Sequence, residues 1–244
     1  MSRNQFFFIL HLLLLAVVLL GFAPSFYLRP FGEQNPLPVY LILHGIACTA
    51  WFLLAVLQSS LIQSRRLPLH KRLGTVGSLL GPFVALTGFW VMWHRIQAYY
   101  SMDGRQGEEL LQAQLFESML IWGDILVLLS FPCIIYLAYR SRFRIEAHKR
   151  WVLFGSVMIV PQAFVRLGKF PFLQIGEDAG VSGSLYAVAG PMTILLSLLI
   201  YDLWHYRRPQ RTTSIAFVWY FILLLSAMII MRSGIGVSIL ELMR

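Results

Sequence analysis

Long apolar runs separated by short polar segments make up most of the chain. Several of them, beginning with LLLLAVVLL near the N-terminus, reach the roughly 20 residues that a helix needs to cross a ~30 Å hydrocarbon core. Because no water reaches that core to bond exposed backbone groups, we expect each run to be helical. The pattern predicts an all-α transmembrane bundle of seven helices in a single integral membrane domain, residues 1–244. The predicted spans are about 5–22, 37–62, 72–94, 115–139, 149–167, 185–204 and 214–232.

Composition and charge agree with this picture and predict an orientation. The chain is 58% hydrophobic and only 13% charged, about half the charged fraction of a soluble domain. Of its 20 basic residues, 13 fall on one side of the predicted spans and 7 on the other. By the positive-inside rule the more basic side is cytoplasmic, so we expect a bacterial inner-membrane protein with its N-terminus inside and its C-terminus outside. The same rule accounts for the net charge of +9 without a nucleic-acid partner.

A short motif occurs twice at the more basic side. The sequence His-Lys-Arg stands at 70–72 and again at 148–150, and Gly-Ser follows at 77–78 and 155–156, an offset of 78 residues in both cases. Each copy precedes a long apolar run. We interpret this as a parallel repeat of two helical hairpins, formed by the second and third and by the fourth and fifth helices, related by an axis along the membrane normal.

Ionisable residues inside a span are costly and are therefore functional candidates. His44 in the second helix and Asp124 in the fourth are predicted to lie at similar depth, so they are expected to meet in the core. Arg166, in the fifth helix, completes a predicted cofactor-binding or ligand pocket on the outer side. The pair acts either as a proton relay or ligand site, or as a structural hydrogen-bonded pair; the sequence leaves both readings open.

A second candidate site lies at the cytoplasmic border. His70 and His148 each begin a predicted helix, where the positive end of the helix dipole disfavours the imidazolium. The neutral ring is the form that binds metals. His205 and Asp202 end the sixth helix on the same side, so three imidazoles and a carboxylate form a candidate metal or haem-edge site. The alternative is that these are interfacial residues facing lipid headgroups.

The two cysteines are not expected to form a disulfide bond. Cys48 and Cys133 both fall inside apolar runs, at depths that differ by about 10 Å at the helical rise of ~1.5 Å per residue. Such a separation is too large for a disulfide bond. Each is therefore expected to be a buried small hydrophobic residue.

Four sequence features carry a resemblance to known proteins. They are an HG-x5-W segment at His44, Gly45 and Trp51; Gln58 at the end of that helix; paired R-x-x-x-HKR loops at 66–72 and 144–150; and Tyr201-Asp202-Leu203 in the sixth helix. In these features, over most of residues 37–205, the chain resembles a group of uncharacterised bacterial multi-pass membrane proteins. Where that group has a histidine after Tyr-Asp-Leu, this chain has Arg-Thr-Thr at 211–213. The repeated hairpins and six histidines are also similar, more weakly, to four-helix b-type membrane cytochromes, which implies haem b as a cofactor.

Three functions remain open on the sequence. The first is a redox or metal-handling accessory protein that binds haem b or a transition metal. The second is a small-solute or proton-coupled carrier built around His44, Asp124 and Arg166. The third is a structural or assembly subunit, whose partners are the lipid bilayer and other membrane subunits. Motifs of nucleophilic hydrolases, zinc proteases and phosphate-binding loops do not occur.

Overall fold

The computed structural model describes residues 3–32, 35–101, 107–175 and 179–244. This part of the chain is mostly helical and contains no β-strand. The helices are α1 (Arg3–Phe22), α2 (Val39–Gln63), α3 (Leu67–Tyr100), α4 (Gly107–Arg140), α5 (Ile145–Ile159), α6 (Pro161–Leu167), α7 (Ala179–Tyr206), α8 (Arg211–Ser233) and α9 (Ile235–Leu242). A π-helical segment, Ala23–Tyr27, and two short 3-10 segments, Arg29–Phe31 and Pro171–Leu173, lie in the connections.

Six helices in the described ranges are long and apolar enough to cross a membrane: α1, α2, α3, α4, α7 and α8. The predicted fifth span falls on α5 and α6, which are bent by 49° relative to each other at Val160 and Pro161. Proline lacks the amide hydrogen that would continue the helix and its ring clashes with the preceding turn, which explains the break. The number of spans is therefore six, or seven if the bent pair crosses as one.

Several helices extend beyond their predicted spans. Helices α3 and α4 have 34 residues each, because a helix continues past the hydrocarbon region, while an apolar run marks only the part inside it. As a result, both His-Lys-Arg motifs lie inside helices. Arg66 caps α3 and Arg144 caps α5, and the backbone amides of His70 and His148 bond to the carbonyls of these two arginines. The two histidines thus occupy the same position in the first turn of their helices.

The helices pack as neighbouring hairpins around a common core. Helix α2 packs on α3 and α4 on α5, while α1 lies against α2, α5 and α6. Helix α4 also contacts α3, α8 and α9. The core between them is apolar and fully buried at residues such as Leu14, Phe131, Leu153, Phe154 and Leu198.

One crossing in this bundle is unusually close. The missing side chain of Gly21 allows α1 to approach the backbone of Ala163 in α6, and a methyl group there would overlap the Ala163 carbonyl oxygen. Small residues permit such approaches between membrane helices, where packing and lipid entropy replace the hydrophobic effect as driving forces. The contact ties α1 directly to the bent pair.

The ion pairs of the described structure lie at two ends of the bundle. We call the end with the connections at 64–66, 141–144 and 207–210 the basic end, because these segments contain six arginines. The other end, with the connections at 28–38 and 168–175 and with α9, is the opposite end. The two candidate sites from the sequence lie one at each end.

Candidate functional sites

A pair of imidazoles lies at the basic end. The Nδ1 of His148 is 2.8 Å from the backbone carbonyl oxygen of Ala138 and donates its proton there. His70 lies close enough to His148 for the two rings to interact electrostatically. The Nδ1 of His70 is buried and has no hydrogen-bond partner in the described structure. His148 therefore has one nitrogen committed to a backbone carbonyl, the arrangement usual in histidines that bind metals, and His70 has a buried nitrogen without a partner among the described residues.

The other two residues of the predicted metal site lie elsewhere. His205 stacks on the ring of Tyr201, with 4.2 Å between centroids, and its Nδ1 is 3.2 Å from the Tyr201 carbonyl oxygen. Asp202 accepts hydrogen bonds from Arg150, Thr213 and the amide of Gln210. Within the described ranges, no group of three or more His, Cys, Asp or Glu residues is arranged to hold a metal ion. The predicted set of four is thus divided, and Asp202 belongs to an ion-pair network.

This ion-pair network is the most buried charged feature of the described structure. The side chains of Arg150 in α5 and Asp202 in α7 are both 0% exposed, and they form a direct salt bridge. Arg150 also donates to the Thr213 hydroxyl of α8 at 3.2 Å and to the carboxylate of Glu146 at 2.7 Å. Glu146 in turn pairs with Lys149 at 2.8 Å. The network joins three helices by hydrogen bonds that satisfy a charge which would otherwise be very costly to bury.

Sequence reasoning missed this network because it counted Arg150 only as a determinant of topology. The available signals were the spacing of four residues between Glu146 and Arg150, which places both on one face of a helix, and the acidic residue in Tyr-Asp-Leu.

A second polar cluster lies at the opposite end, beside the bend between α5 and α6. Arg95 of α3 bonds to two carboxylates of α4, Glu117 at 3.0 Å and Asp124 at 3.3 Å. Asp124 also accepts a hydrogen bond from the Gln162 side chain at 3.2 Å. The side chains of Arg95 and Asp124 are 28% and 30% exposed, so both are partly buried. Arg166 of α6 lies at the same end of the bundle. Its guanidinium lies over the Phe22 ring at 4.2 Å and donates a hydrogen bond to the Gln162 carbonyl.

The predicted pair of His44 and Asp124 is not formed. The hydrogen bonds of His44 go to Thr87 of α3, at 3.1 Å, and to Cys48 of its own helix, at 3.5 Å. Similar depth placed His44 and Asp124 together in the prediction, but depth does not fix the rotation of each helix about its axis. Arg95 replaces the imidazole as the partner of Asp124, while Arg166 does lie within its electrostatic reach.

Comparison with known proteins adds no assignment. No protein-family model, curated protein or solved structure matches the chain. The resemblance drawn from the sequence motifs therefore remains a prediction.

Proposed function

We propose that this is a membrane redox or metal-handling protein, an accessory to a respiratory or cofactor-biogenesis system, in which His70 and His148 bind haem b or a transition-metal ion. The observation that carries the proposal is a pair of imidazoles within electrostatic reach of each other, in which the Ala138 carbonyl orients His148 and the buried Nδ1 of His70 has no partner in the described structure. Such second-shell hydrogen bonds set the tautomer and raise the basicity of a ligand. Imidazole suits iron, copper, zinc and nickel.

The surroundings of the pair favour a cofactor that carries negative charge. Lys71, Arg72 and Lys149 neighbour the two histidines in sequence, and their positive charges oppose a bare divalent cation. The propionates of haem b would instead be attracted by them, because an anion near a cluster of cations is stabilised. Haem b is therefore the first cofactor to test, and a low-charge metal ion the second.

The same proposal includes a topology. The bent pair α5–α6 crosses as one span, which makes seven spans, and the basic end is cytoplasmic in the inner membrane of a bacterium with the N-terminus inside. The two hairpins are a true repeat. Its support is that Arg66 and Arg144 cap α3 and α5, with a histidine at the same place in each first turn.

The test is the absorption spectrum and metal content of the protein purified from its native membrane in mild detergent. We expect a haem spectrum or one bound transition metal per chain, and loss of most of it in His148→Ala and in His70→Ala. His94→Ala is the matched control, because His94 stacks on Tyr40 at 3.9 Å, away from the pair. A colourless, metal-free wild-type protein, or unchanged content in both variants, would refute the proposal.

A carrier is the second candidate, and the cluster beside the helix bend favours it. Many carriers bind their substrates where a helix is interrupted and backbone dipoles face the site. Here Gln162, at the start of α6, bonds to Asp124, which is paired with Arg95. A carboxylate in this place is suited to binding a proton or a small cation.

For the carrier we expect Asp124→Asn to lower proton flux into vesicles loaded with a pH-sensitive dye by on the order of 100-fold, the usual effect of removing a proton-transfer group. Glu117→Gln is the control, because Glu117 pairs with the same arginine at 3.0 Å and lacks the bond to Gln162. Equal flux in wild type and Asp124→Asn would exclude a proton-coupled role for this residue.

A further inference from the structure

One face of α4, in the half of the helix nearest the basic end, is left uncovered by the other described helices. Leu129, Cys133 and Tyr136 follow one another at spacings of four and three residues, so they share this face. Leu129 and Tyr136 are 57% and 60% exposed, and Cys133 is exposed between them. We call these three residues the α4 strip. The sequence predicted Cys133 to be buried, whereas it lies on the surface that faces lipid.

The α4 strip does not follow from the sequence repeat alone. The residues 78 positions earlier are Trp51, Ala55 and Gln58 in α2. Trp51 and Ala55 are buried, and α2 packs against both α1 and α3. The second hairpin therefore has an open surface at positions where the first hairpin is closed by its neighbours.

A turn rich in arginine lies at the end of this strip. Arg140 is the last residue of α4, and Arg142 and Arg144 belong to the connection that leads to α5. Within the described ranges none of the three forms an ion pair, whereas Lys149 and Arg150 in the next helix do. Three positive charges are thus available beside the strip for a negatively charged ligand.

Arg142 is held in position by two aromatic rings. The central carbon of its guanidinium lies 4.3 Å from the centroid of the Tyr139 ring and 4.5 Å from that of Phe143. One of its nitrogens also donates a hydrogen bond to the Tyr139 carbonyl at 3.2 Å. Such cation–π contacts stabilise one position of a long side chain. The guanidinium presents its other N–H groups as a planar fork, which matches the oxygens of a phosphate.

We propose that the turn at 140–144 and the α4 strip bind one anionic phospholipid, with its phosphate at Arg142 and an acyl chain along the strip. Arg140 follows Leu129 by 11 residues, a rise of about 16 Å along the helix. This is about half of the ~30 Å hydrocarbon core, the depth of one lipid leaflet. A phospholipid fits better than a free anion, because the exposed apolar strip leads directly from the arginines into the hydrocarbon.

This lipid site is separate from the histidine pair at the same end of the bundle. His148 bonds to the carbonyl of Ala138, whose side chain is buried, whereas the strip lies on the exposed side of the same helix. The two ligands would therefore contact different sides of α4, and neither requires the other.

The test uses Cys133 as a reporter within the site. A bimane fluorophore is attached to it in the full-length Cys48→Ser protein, which is reconstituted into phosphatidylcholine nanodiscs. Lipids with brominated acyl chains quench the fluorophore on contact. At the same low mole fraction, we expect brominated phosphatidylglycerol to quench about fivefold more than brominated phosphatidylcholine, since basic residues near the surface attract anionic lipids. Equal quenching by the two lipids would overturn the proposal, whether a neutral lipid or a protein helix then covers the strip.

Two variants separate the clamped arginine from positive charge in general. Arg142→Gln should remove most of the preference for phosphatidylglycerol, a loss of about fivefold. Arg65→Gln is the matched control, because Arg65 lies in the connection at 64–66 of the same end and no aromatic ring of the described residues lies over it. Its preference should stay close to that of the parent protein. Equal losses in the two variants would show that the basic end attracts anionic lipid only diffusely, and the site would be wrong.

A measurement without the fluorophore is native mass spectrometry of the wild-type protein released from membranes that contain both lipids. Phosphatidylglycerol should stay bound to the wild-type protein and be lost from Arg142→Gln. Inorganic phosphate should not displace it; displacement would show that the arginines bind phosphate alone. His148→Ala should keep the lipid, so the site can fail or stand independently of the proposed haem or metal.

Discussion

Replacing Asp202 with alanine should lower the free energy of unfolding by about 3–5 kcal/mol, the usual cost of breaking a buried ion pair. The guanidinium of Arg150 is 0% exposed and loses its only fully buried carboxylate partner. Thr213 and the amide of Gln210 lose their acceptor at the same time. Thermal unfolding in detergent, followed by tryptophan fluorescence, measures the change.

Two further variants separate charge from packing in this experiment. The double variant Arg150→Met, Asp202→Leu should recover most of the lost stability, because apolar residues of similar volume often replace a buried ion pair without loss. Glu146→Gln should cost about 1 kcal/mol or less, since Glu146 is 37% exposed and such pairs contribute little. An Asp202→Ala protein as stable as Glu146→Gln would show that the Arg150 charge is satisfied in another way.

Replacing Gly21 with alanine should also destabilise the bundle, by about 1–3 kcal/mol, the usual cost of overpacking. The added methyl group would overlap the carbonyl oxygen and the carbonyl carbon of Ala163. Backbone atoms cannot relieve this overlap by a rotamer change, as a side chain can. The same unfolding assay applies, and the loss should appear as separation of α1 from α6.

Gly123 provides the matched control for this substitution. It lies inside α4, and a β-carbon there would have no atom within 4 Å among those considered. Gly123→Ala should therefore be neutral or slightly stabilising, because alanine favours a helix over glycine by about 1 kcal/mol. Equal effects at the two positions would show that the crossing of α1 and α6 is looser than described.

The apolar runs predicted the helices well, because hydropathy reports directly on the length of chain inside the hydrocarbon. The described helices include the predicted spans apart from residues 37–38 and the bend at Pro161, and the two His-Lys-Arg motifs occupy equivalent first turns. The limits of α3 and α4 were too short in the prediction. Their outer turns are polar, and hydropathy cannot tell a polar helical turn from a loop.

The partners of the polar residues were predicted less well. Depth along a helix follows from counting residues, but contact also depends on the rotation of each helix and on its neighbours. For this reason Asp124 was paired with His44 in the prediction, although its carboxylate contacts Arg95. The role of Arg150 was missed for a second reason: the positive-inside rule already accounted for its charge, so the spacing of Glu146 and Arg150 was not considered.

The ion pair between α5 and α7 also imposes an order on biosynthesis. Asp202 follows Arg150 by 52 residues, so at about 5–20 residues per second the ribosome adds it roughly 3–10 s later. During that interval Arg150 cannot form its salt bridge with the buried carboxylate of Asp202. Its guanidinium is then best solvated at the membrane surface. We therefore expect α5 to reach its final packing only after α7 has been made, so that the first half of the protein depends on the second for its assembly.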